Sequence, residues 1–535
     1  MAPAKVTSDA ILSDEAFVRT VIAPVFDTKF YRQRYPEVAA NDDDALSHYI
    51  TSGWREGRWP NAEFDSAFYL TENPDVLKDG LNPFAHFLVR GAYEGRKFRR
   101  PPENAARQAI ASARPLREQS RGAEVLTDLA TLTRDDLVNE LQAARGMVIS
   151  LSHDQYWRVG GGVQNAVADE QRIAAALGWN YLHLCPVRQL PMLADPTRAE
   201  LFEVAVTLNG QSLGATAFAN VIAIAEAEAA KPGEVKCVIH QLLGHAPELV
   251  EELIFACQTP SPFVWTHDHF TLCPSFAMQR NNVADCGGPP VNSPACQICN
   301  SGAERPGHVA RMSKLFGMVR PVVLSPSATF LKFWQAHTTM EYARGMVVPY
   351  CRIELDPNVP TAEPAGKIRV GFLGAPTYRK GWDAFATLAA RHMGDPRYEF
   401  VQLGWADPCA TNVTHVYVKV SPDDRDAMVN AIMAEDIDVT INWSLFYESF
   451  SFATIEAVAA GAFIIARRGA GNIWPLVSGI SAHRGYAIDS EYELQALFAS
   501  GRILDMVLNA DRRRGRLIIG SAIARVLFGQ DIDRE

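Results

Sequence analysis

The sequence predicts an α/β chain: two doubly wound parallel-sheet domains facing a cleft, preceded by a small α-helical repeat module. Three observations predict it. Between residues 146 and 510, strand-like apolar runs alternate with helical stretches in two successive series. Such alternation makes parallel sheets covered by helices on both faces, which bind ligands at the carboxyl ends of their strands. Ahead of them, residues 26–100 carry an internal duplication. The chain has 535 residues, 48% of them hydrophobic and 21% charged, enough for two or three separate cores of ordinary globular composition.

After an N-terminal segment (1–25), the repeat module is read from matched positions. Phe26-Asp27, Phe30-Tyr31, Pro36-Glu37-Val38, His48-Tyr49 and Gly53 through Arg58 return as Phe64-Asp65, Phe68-Tyr69, Pro74-Asp75-Val76, His86-Phe87 and Gly91 through Arg96. A constant offset marks a duplication. Each unit reads as two short helices, the second ended by Gly53 or Gly91. His48 and His86 sit among aromatics and read as packed, hydrogen-bonded side chains. Asp42-Asp43-Asp44 falls in the turn between helices and reads as a solvated turn. Residues 101–145 are polar, rich in Arg and Ala, and read as a linker with one or two helices.

The first domain (146–345) has candidate strands at Met147 to Leu151, Tyr181 to Cys185, Glu203 to Leu208, Lys236 to His240, Phe263 to Thr266 and Pro321 to Ser325, with helical stretches such as Ala215 to Ala230. It also carries a Cys-rich loop, 270–305. The second domain (346–510) has strands near Ile368 to Leu373, Glu399 to Leu403, Val416 to Val418, Ile437 to Ile441, Phe463 to Ala466 and Gly485 to Ile488. Residues 511–535 read as a C-terminal helix, with the arginines between Arg512 and Arg516 on its solvated face.

A formal charge of −10 leaves no electrostatic footprint for nucleic acid. No apolar run reaches the ~20 residues that span a bilayer, and the amino end lacks a secretory pattern. The expectation is a cytoplasmic protein, with room for peripheral contact at the inner membrane. The nine cysteines are scattered, as in a reducing compartment.

The richest stretch runs from Phe446 to Gly461. Glu448 lies at the carboxyl end of a strand and Glu456 inside the next helix, with seven residues between them. Ser449 and Ser451 are good N-cap residues, and Phe452, Ile455, Ala459 and Ala460 recur at helical spacing. The first helical turn presents unpaired N–H groups and the positive end of the helix dipole, a site for a diphosphate. A carboxylate on each flank suits the hydroxyls of a sugar and a ribose.

This segment resembles the E-x7-E element of retaining GT-B glycosyltransferases of the GT4-like group, continued by Gly461 to Ala466 and Gly469-Ala470-Gly471-Asn472. The resemblance covers roughly residues 146–510 and implies two Rossmann-like domains of the GT-B fold. It implies that Glu448 holds the donor sugar and Glu456 the ribose, with Phe450, Ser451, Phe452 and Ala453 against the donor. Gly160-Gly161-Gly162 is similar to the family's glycine loop facing the donor phosphate, through Gly161 and Gly162. In Gly374 to Trp382, Lys380 matches the family's lysine at the leaving diphosphate. Ala375 stands where the family carries an arginine, so either Arg379 supplies the second charge or the chain works with one cation fewer.

Two histidine-bearing segments follow strand ends, His240 to His245 and His267-Asp268-His269. Related enzymes place similar groups near the sugar and acceptor, which singles out His240 for a direct role and Asp268 for holding or polarising a partner. Cys273, Cys286, Cys296 and Cys299 are compatible with a tetrahedral structural zinc stapling the long loop, and equally with reduced, unconnected thiols or a disulfide. Cys185, Cys237, Cys257, Cys351 and Cys409 read as buried thiols.

The expected function is a retaining transfer from a nucleoside-diphosphate sugar to a glycan, lipid-linked or protein acceptor in bacterial surface polysaccharide or glycoconjugate synthesis, with no cofactor or metal in the chemistry. Two alternatives stay open: a non-catalytic GT-B scaffold that binds a partner, or a GT-B nucleotide-sugar epimerase or hydrolase.

Overall fold

The computed structural model describes residues 12–35, 37–38, 44–61, 64–98, 114–195, 202–356, 366–406, 410, 412–421 and 423–530, and the counts below refer to these. The chain divides into two compact units, one of residues 1–108 with 388–398, the other of 109–387 with 399–535.

In the first unit the duplication is a duplication of chemistry. Asp27 and Asp65 cap the helices Thr28–Arg34 and Ser66–Glu72 through the backbone N–H groups of Phe30 and Phe68. Asp44 and Asn82 cap Ala45–His48 and Pro83–His86. Each of these later helices widens at once into a π-helical turn, Tyr49–Gly53 and Phe87–Gly91. Tyr31 Oη lies 3.0 Å from His48 Nδ1, and Tyr69 Oη 2.9 Å from His86 Nδ1. A Cβ on Gly53 or Gly91 would collide with the hydroxyl of Tyr31 or Tyr69, so glycine is required where the tyrosine passes under the turn. The repeat histidines are thus hydrogen-bonded packing residues. The second repeat also contains a short helix, Pro74–Lys78. Asp44 is a helix cap; Pro36, Asp42, Asp43 and Cys409 lie outside the described residues, as do 1–11, 99–113 and 531–535.

The strands of the second unit are β1 (Gly146–Leu151), β2 (Asn180–Pro186), β3 (Glu203–Leu208), β4 (Gln211–Ala217), β5 (Glu234–Ile239), β6 (Phe263–Trp265), a small hairpin of β7 (Gln279–Arg280) and β8 (Ala284–Asp285), β9 (Val322–Ser325), β10 (Arg344–Val347), β11 (Cys351–Leu355), β12 (Ile368–Leu373), β13 (Tyr398–Gly404), β14 (Thr414–Tyr417), β15 (Val439–Asn442), β16 (Phe463–Arg467), β17 (Gly485–Ile488) and β18 (Gly515–Ile519). The first sheet has eight strands in the order β10-β9-β6-β5-β1-β2-β3-β4. β1 pairs in parallel with both β2 and β5, so the strand order reverses between β1 and β5. The second sheet has six strands in the order β14-β13-β12-β15-β16-β17, the 3-2-1-4-5-6 order of a doubly wound nucleotide-binding domain, with its switch point between β12 and β15. These are the two Rossmann-like domains of a GT-B fold.

Three expectations are corrected. The stretch from Ala215 is not helical at its start: β3 and β4 form an antiparallel hairpin on the edge of the first sheet, and the helix spans Phe218–Ala229. The linker contains two helices, Leu116–Arg121 and Arg134–Glu140, and two isolated bridges, Val125 to Arg188 and Thr131 to Ala215. The segment 511–535 is not one helix. β18 first pairs antiparallel with β11, and the helix is Ser521–Phe528. Its arginines are accordingly not a solvated helical face. Arg512 pairs with Asp438 at 2.9 Å and donates to Gly461 O, Arg513 pairs with Asp511, and Arg516 pairs with Glu354. Ile523 and Leu527 are buried against Val148, Val167 and Tyr181 of the first domain, and Phe528 meets Trp179 at 5.3 Å between ring centroids. Among the described residues no helix is long and apolar enough to cross a membrane.

Gly91→Ala is expected to destabilise the repeat unit by about 1–3 kcal/mol through overpacking, and Gly91→Ala with Tyr69→Phe to recover part of that loss. Thermal unfolding together with limited proteolysis of the repeats checks both.

Candidate active site

Ligands of doubly wound sheets bind outside the carboxyl ends of the strands that flank the switch point. In the second domain those strands are β12 and β15, and the loops that leave them carry Lys380 and Glu448. β12 runs into Gly374, whose φ of 91° suits glycine, and then into a 3-10 turn, Tyr378–Lys380. Gly381, at φ 84°, reverses the chain against the backbone of Trp443 before the helix Trp382–Arg391. Lys380 Nζ then reaches Glu448 Oε1 at 2.6 Å. Glu448 is 5% exposed, whereas the lysine side chain keeps 42% of its surface. Lys380 also lies 5.0 Å from the centre of the Phe446 ring.

The loop bearing Glu448 is held on several sides. Gly471 pairs with Glu448 as an isolated parallel bridge, and Asn472 N donates to Glu448 O at 2.9 Å. A Cβ on Gly471, at φ 66°, would overlap that backbone. From the first domain, Ser327 Oγ donates to Ser449 O at 2.7 Å and Gln279 Nε2 to Leu445 O at 3.2 Å. Ser449 Oγ donates to His267 O. Tyr447 stacks on Phe333 with 4.5 Å between centroids.

Ser451, not Ser449, is the N-cap of the helix Phe452–Ala460, accepting from Thr454 N. Gly162 begins the helix Gly162–Ala176 of the first domain, and a Cβ there would stand 3.6 Å from the Phe452 ring. The glycine loop and the amino end of the 452–460 helix therefore face each other. Gly161 is extended at φ 170°, and a side chain on it would overlap Gln164. Phe450 is 8% exposed and packs on Tyr350, as does Phe452, so Phe450 is a wall residue. Ala453 is half-buried on the first turn.

Glu456 lies within the same helix and is 6% exposed. Burial raises its carboxyl from 4.5 to about 7, with the charge of Arg425 pulling it back. Arg425 was not anticipated. Its guanidinium lies 5.4 Å over Phe452 and 3.3 Å from Asp169 Oδ2 on the 162–176 helix, so one buried cation links carboxylates of both domains. The only trace of this in the sequence is the pair Asp169-Glu170, charged residues on the helix face that Val167 and Ala174 bury.

In the first domain His240 and Asp268 lie beyond β5 and β6. The side chain of His240 has no exposed surface. It is stacked between neighbours: Nδ1 is 2.8 Å from His267 Nε2, Nε2 is 3.4 Å from Glu170 Oε1, and the ring lies parallel to Trp265. His267 in turn contacts the hydroxyl of Tyr350, and burial holds its imidazole well below the ordinary value. His245 and His269 are pushed down to about 4 by burial, so both are neutral at pH 7. Asp268 accepts from Gln241 Nε2 at 2.7 Å and Phe270 N at 2.8 Å, and burial raises its carboxyl from 3.8 to about 7. A carboxyl poised there changes charge near neutral pH.

Arg379 does not join Lys380 at Glu448. Its guanidinium lies 5.6 Å over the ring of Phe276, in the cysteine-rich loop. Among the described residues no group of three or more His, Cys, Asp or Glu is placed to hold a metal ion. Cys273 is buried, with its thiol pushed up to about 12 by burial, and Arg305 Nη1 donates to Cys296 Sγ at 3.1 Å. Cys273, Cys286, Cys296 and Cys299 are free thiols, one of the states their spacing leaves open.

No protein-family model and no curated protein matches this sequence. Among solved structures the chain is similar to sucrose-phosphate synthase from Thermosynechococcus elongatus, with 14% identity over 68% of this chain and 92% of that one and a TM-score of 0.42. It is similar to HepE from Anabaena, solved with UDP and glucose, at 13% identity over 68% and 94% with a TM-score of 0.42. WaaG, a glycosyltransferase involved in lipopolysaccharide biosynthesis, gives 12% identity over 68% and 93% with a TM-score of 0.41. Likeness at this level assigns no substrate and no residue role.

The Glu456 carboxyl has a consequence for stability. Between pH 4.5 and about 7 the native state keeps a proton that the unfolded chain has released, so its contribution to stability falls as pH rises through that window. Glu456→Gln removes this dependence. The variant is expected to gain up to ~3 kcal/mol on the wild type at pH 8 and little at pH 4, read as unfolding free energy in urea.

Proposed function

We propose that this chain is a retaining, GT4-like glycosyltransferase that moves a sugar from a nucleoside-diphosphate donor to a glycan, lipid-linked or protein acceptor, as a cytoplasmic protein with room for peripheral contact at the inner membrane, in bacterial surface polysaccharide or glycoconjugate synthesis. The observation that carries the proposal is the Lys380–Glu448 pair, 2.6 Å apart at the switch point of the second sheet. Support comes from the amino end of the 452–460 helix, which faces the glycine loop of the other domain.

The donor diphosphate lies against the amides of Ser451, Phe452 and Ala453, opposite Gly161 and Gly162. Lys380 leaves or shares its contact with Glu448 to meet the charge that grows on the departing phosphate, where a fixed cation in a water-poor site acts most strongly. Glu448 then accepts from hydroxyls of the donor sugar, and Glu456, when ionised, from the ribose. The bond from the anomeric carbon to the β-phosphate oxygen breaks as the acceptor oxygen bonds that carbon from the same face. The acceptor proton passes to the leaving phosphate, which goes as the nucleoside diphosphate. No metal or cofactor takes part. Asp268 is the candidate for orienting the acceptor. His240, sealed between Glu170 and His267, acts as a positioning residue for the layer beneath it.

The second reading, a GT-B scaffold without catalysis, is favoured by Ala375 in place of an arginine and by the Arg379 guanidinium lying over Phe276. Incubation with UDP-, GDP- and dTDP-sugars separates the two, since a transferase hydrolyses its donor slowly and releases nucleotide. Lys380→Ala is expected to slow that release by about 10²–10³-fold, and Glu456→Gln to weaken donor binding with a smaller effect on turnover. Failure of every donor to bind or to release nucleotide rejects the transferase reading in favour of the scaffold.

A further inference from the structure

A cavity of about 380 Å³ opens against the turn that leads to Lys380, walled on one side by the cysteine-rich loop and on the other by Thr377 to Arg379. Its volume lies in the range of small-molecule sites, roughly 300–1,000 Å³. We infer that this cavity is a saccharide-binding subsite, built by the 270–305 loop to hold a neutral or anionic sugar unit of the acceptor. The assignment rests on the glycosyltransferase reading for its biological meaning, and on the lining for its chemistry.

Phe276, with 41% of its surface exposed, and Tyr378 offer aromatic faces. A pyranose packs its axial C–H groups on such faces, because the ring quadrupole attracts their positive edge. Amides surround them: Asn282, Asn300 and Gln279 each carry both donors and acceptors, the combination that vicinal hydroxyls require. Among the described residues the Tyr378 hydroxyl, the Asn282 side chain and Asn300 Nδ2 make no hydrogen bond, so they are free to bind, while Gln279 is committed to Leu445 O. No carboxylate lines the cavity, which disfavours a cationic ligand. Arg379 is its one charged group, and it adds tolerance for a uronate or phosphorylated sugar.

Position links the cavity to the reaction. Leu445 N donates to Arg379 O at 2.8 Å and Gln279 holds Leu445 O, so the cavity wall is tied to the segment that ends in Glu448. A sugar held there lies alongside the donor site, on the first-domain face. This also gives Arg379 a partner that the diphosphate does not supply, and gives the cysteine-rich loop a task that needs no metal.

The test uses the full chain without donor, by saturation-transfer NMR with cellobiose, maltose, lactose and N,N′-diacetylchitobiose at millimolar concentration, repeated with Phe276→Ala and Asn282→Ala. Both side chains are exposed, and a thermal melt verifies that the variants fold. The expected result is binding of at least one disaccharide, weakened about tenfold or more in either variant, and not displaced by UDP. Absence of binding by all four, equal binding by wild type and variants, or displacement by UDP overturns the assignment. Saccharide binding that persists while every nucleotide-sugar fails to bind would reject the transferase reading and leave the subsite standing.

Discussion

The second domain depends on one constraint: the backbone of the Glu448 segment must lie flat against Gly471 while its side chain turns inward to Lys380. A methyl group at 471 would lift the whole segment. Held there, it receives the first domain's contacts from Ser327, Gln279 and His267, and presents the amino end of the 452–460 helix to Gly162. Sheet topology explains why the constraint sits where it does. β12 and β15 are neighbours whose next strands lie on opposite sides, so the loops leaving them diverge and open a crevice. Lys380 and Glu448, 68 residues apart, meet in it.

The site is divided between exposed and sealed charges. Lys380 remains partly in water, where a pair with a carboxylate is weak. Asp169, Arg425 and Glu456 are enclosed, and there an unpaired charge is costly, which is why Glu456 holds its proton to about pH 7. An exposed pair thus stands beside a fixed one that ties the two walls together.

What the sequence made legible follows from burial. Strands such as β12 and β16 are largely apolar runs because helices cover both faces of the sheet, and they are legible nearly to their ends. β4 was not, since Gly214, Ala215 and Ala217 give it little strand character and run into the Ala-rich helix 218–229. β11 alternates charged and apolar residues in a two-stranded sheet with β18, and Arg512 to Arg516 reads as helical without the partner strand. The positions of Glu448 and Lys380 at strand ends were readable for the same reason as the strands. Their contact with each other, the placement of Arg379 over Phe276 and the role of Arg425 are tertiary pairings with no local signature. The tyrosine beneath each repeat glycine was likewise written in the duplication but visible only as a contact.

The return of residues 515–528 has a bearing on how the molecule is made. Ile523 and Leu527 cover an apolar patch of the first domain formed by residues that precede them by more than 300 positions, Val148 and Val167 among them. During synthesis that patch stays open after its own sheet has been translated, for as long as the second domain is still emerging. Nascent chains in this interval carry uncovered hydrophobic surface and rely on dilution or a chaperone to avoid sticking. Completion of the amino-terminal lobe is therefore a late, carboxyl-terminal event.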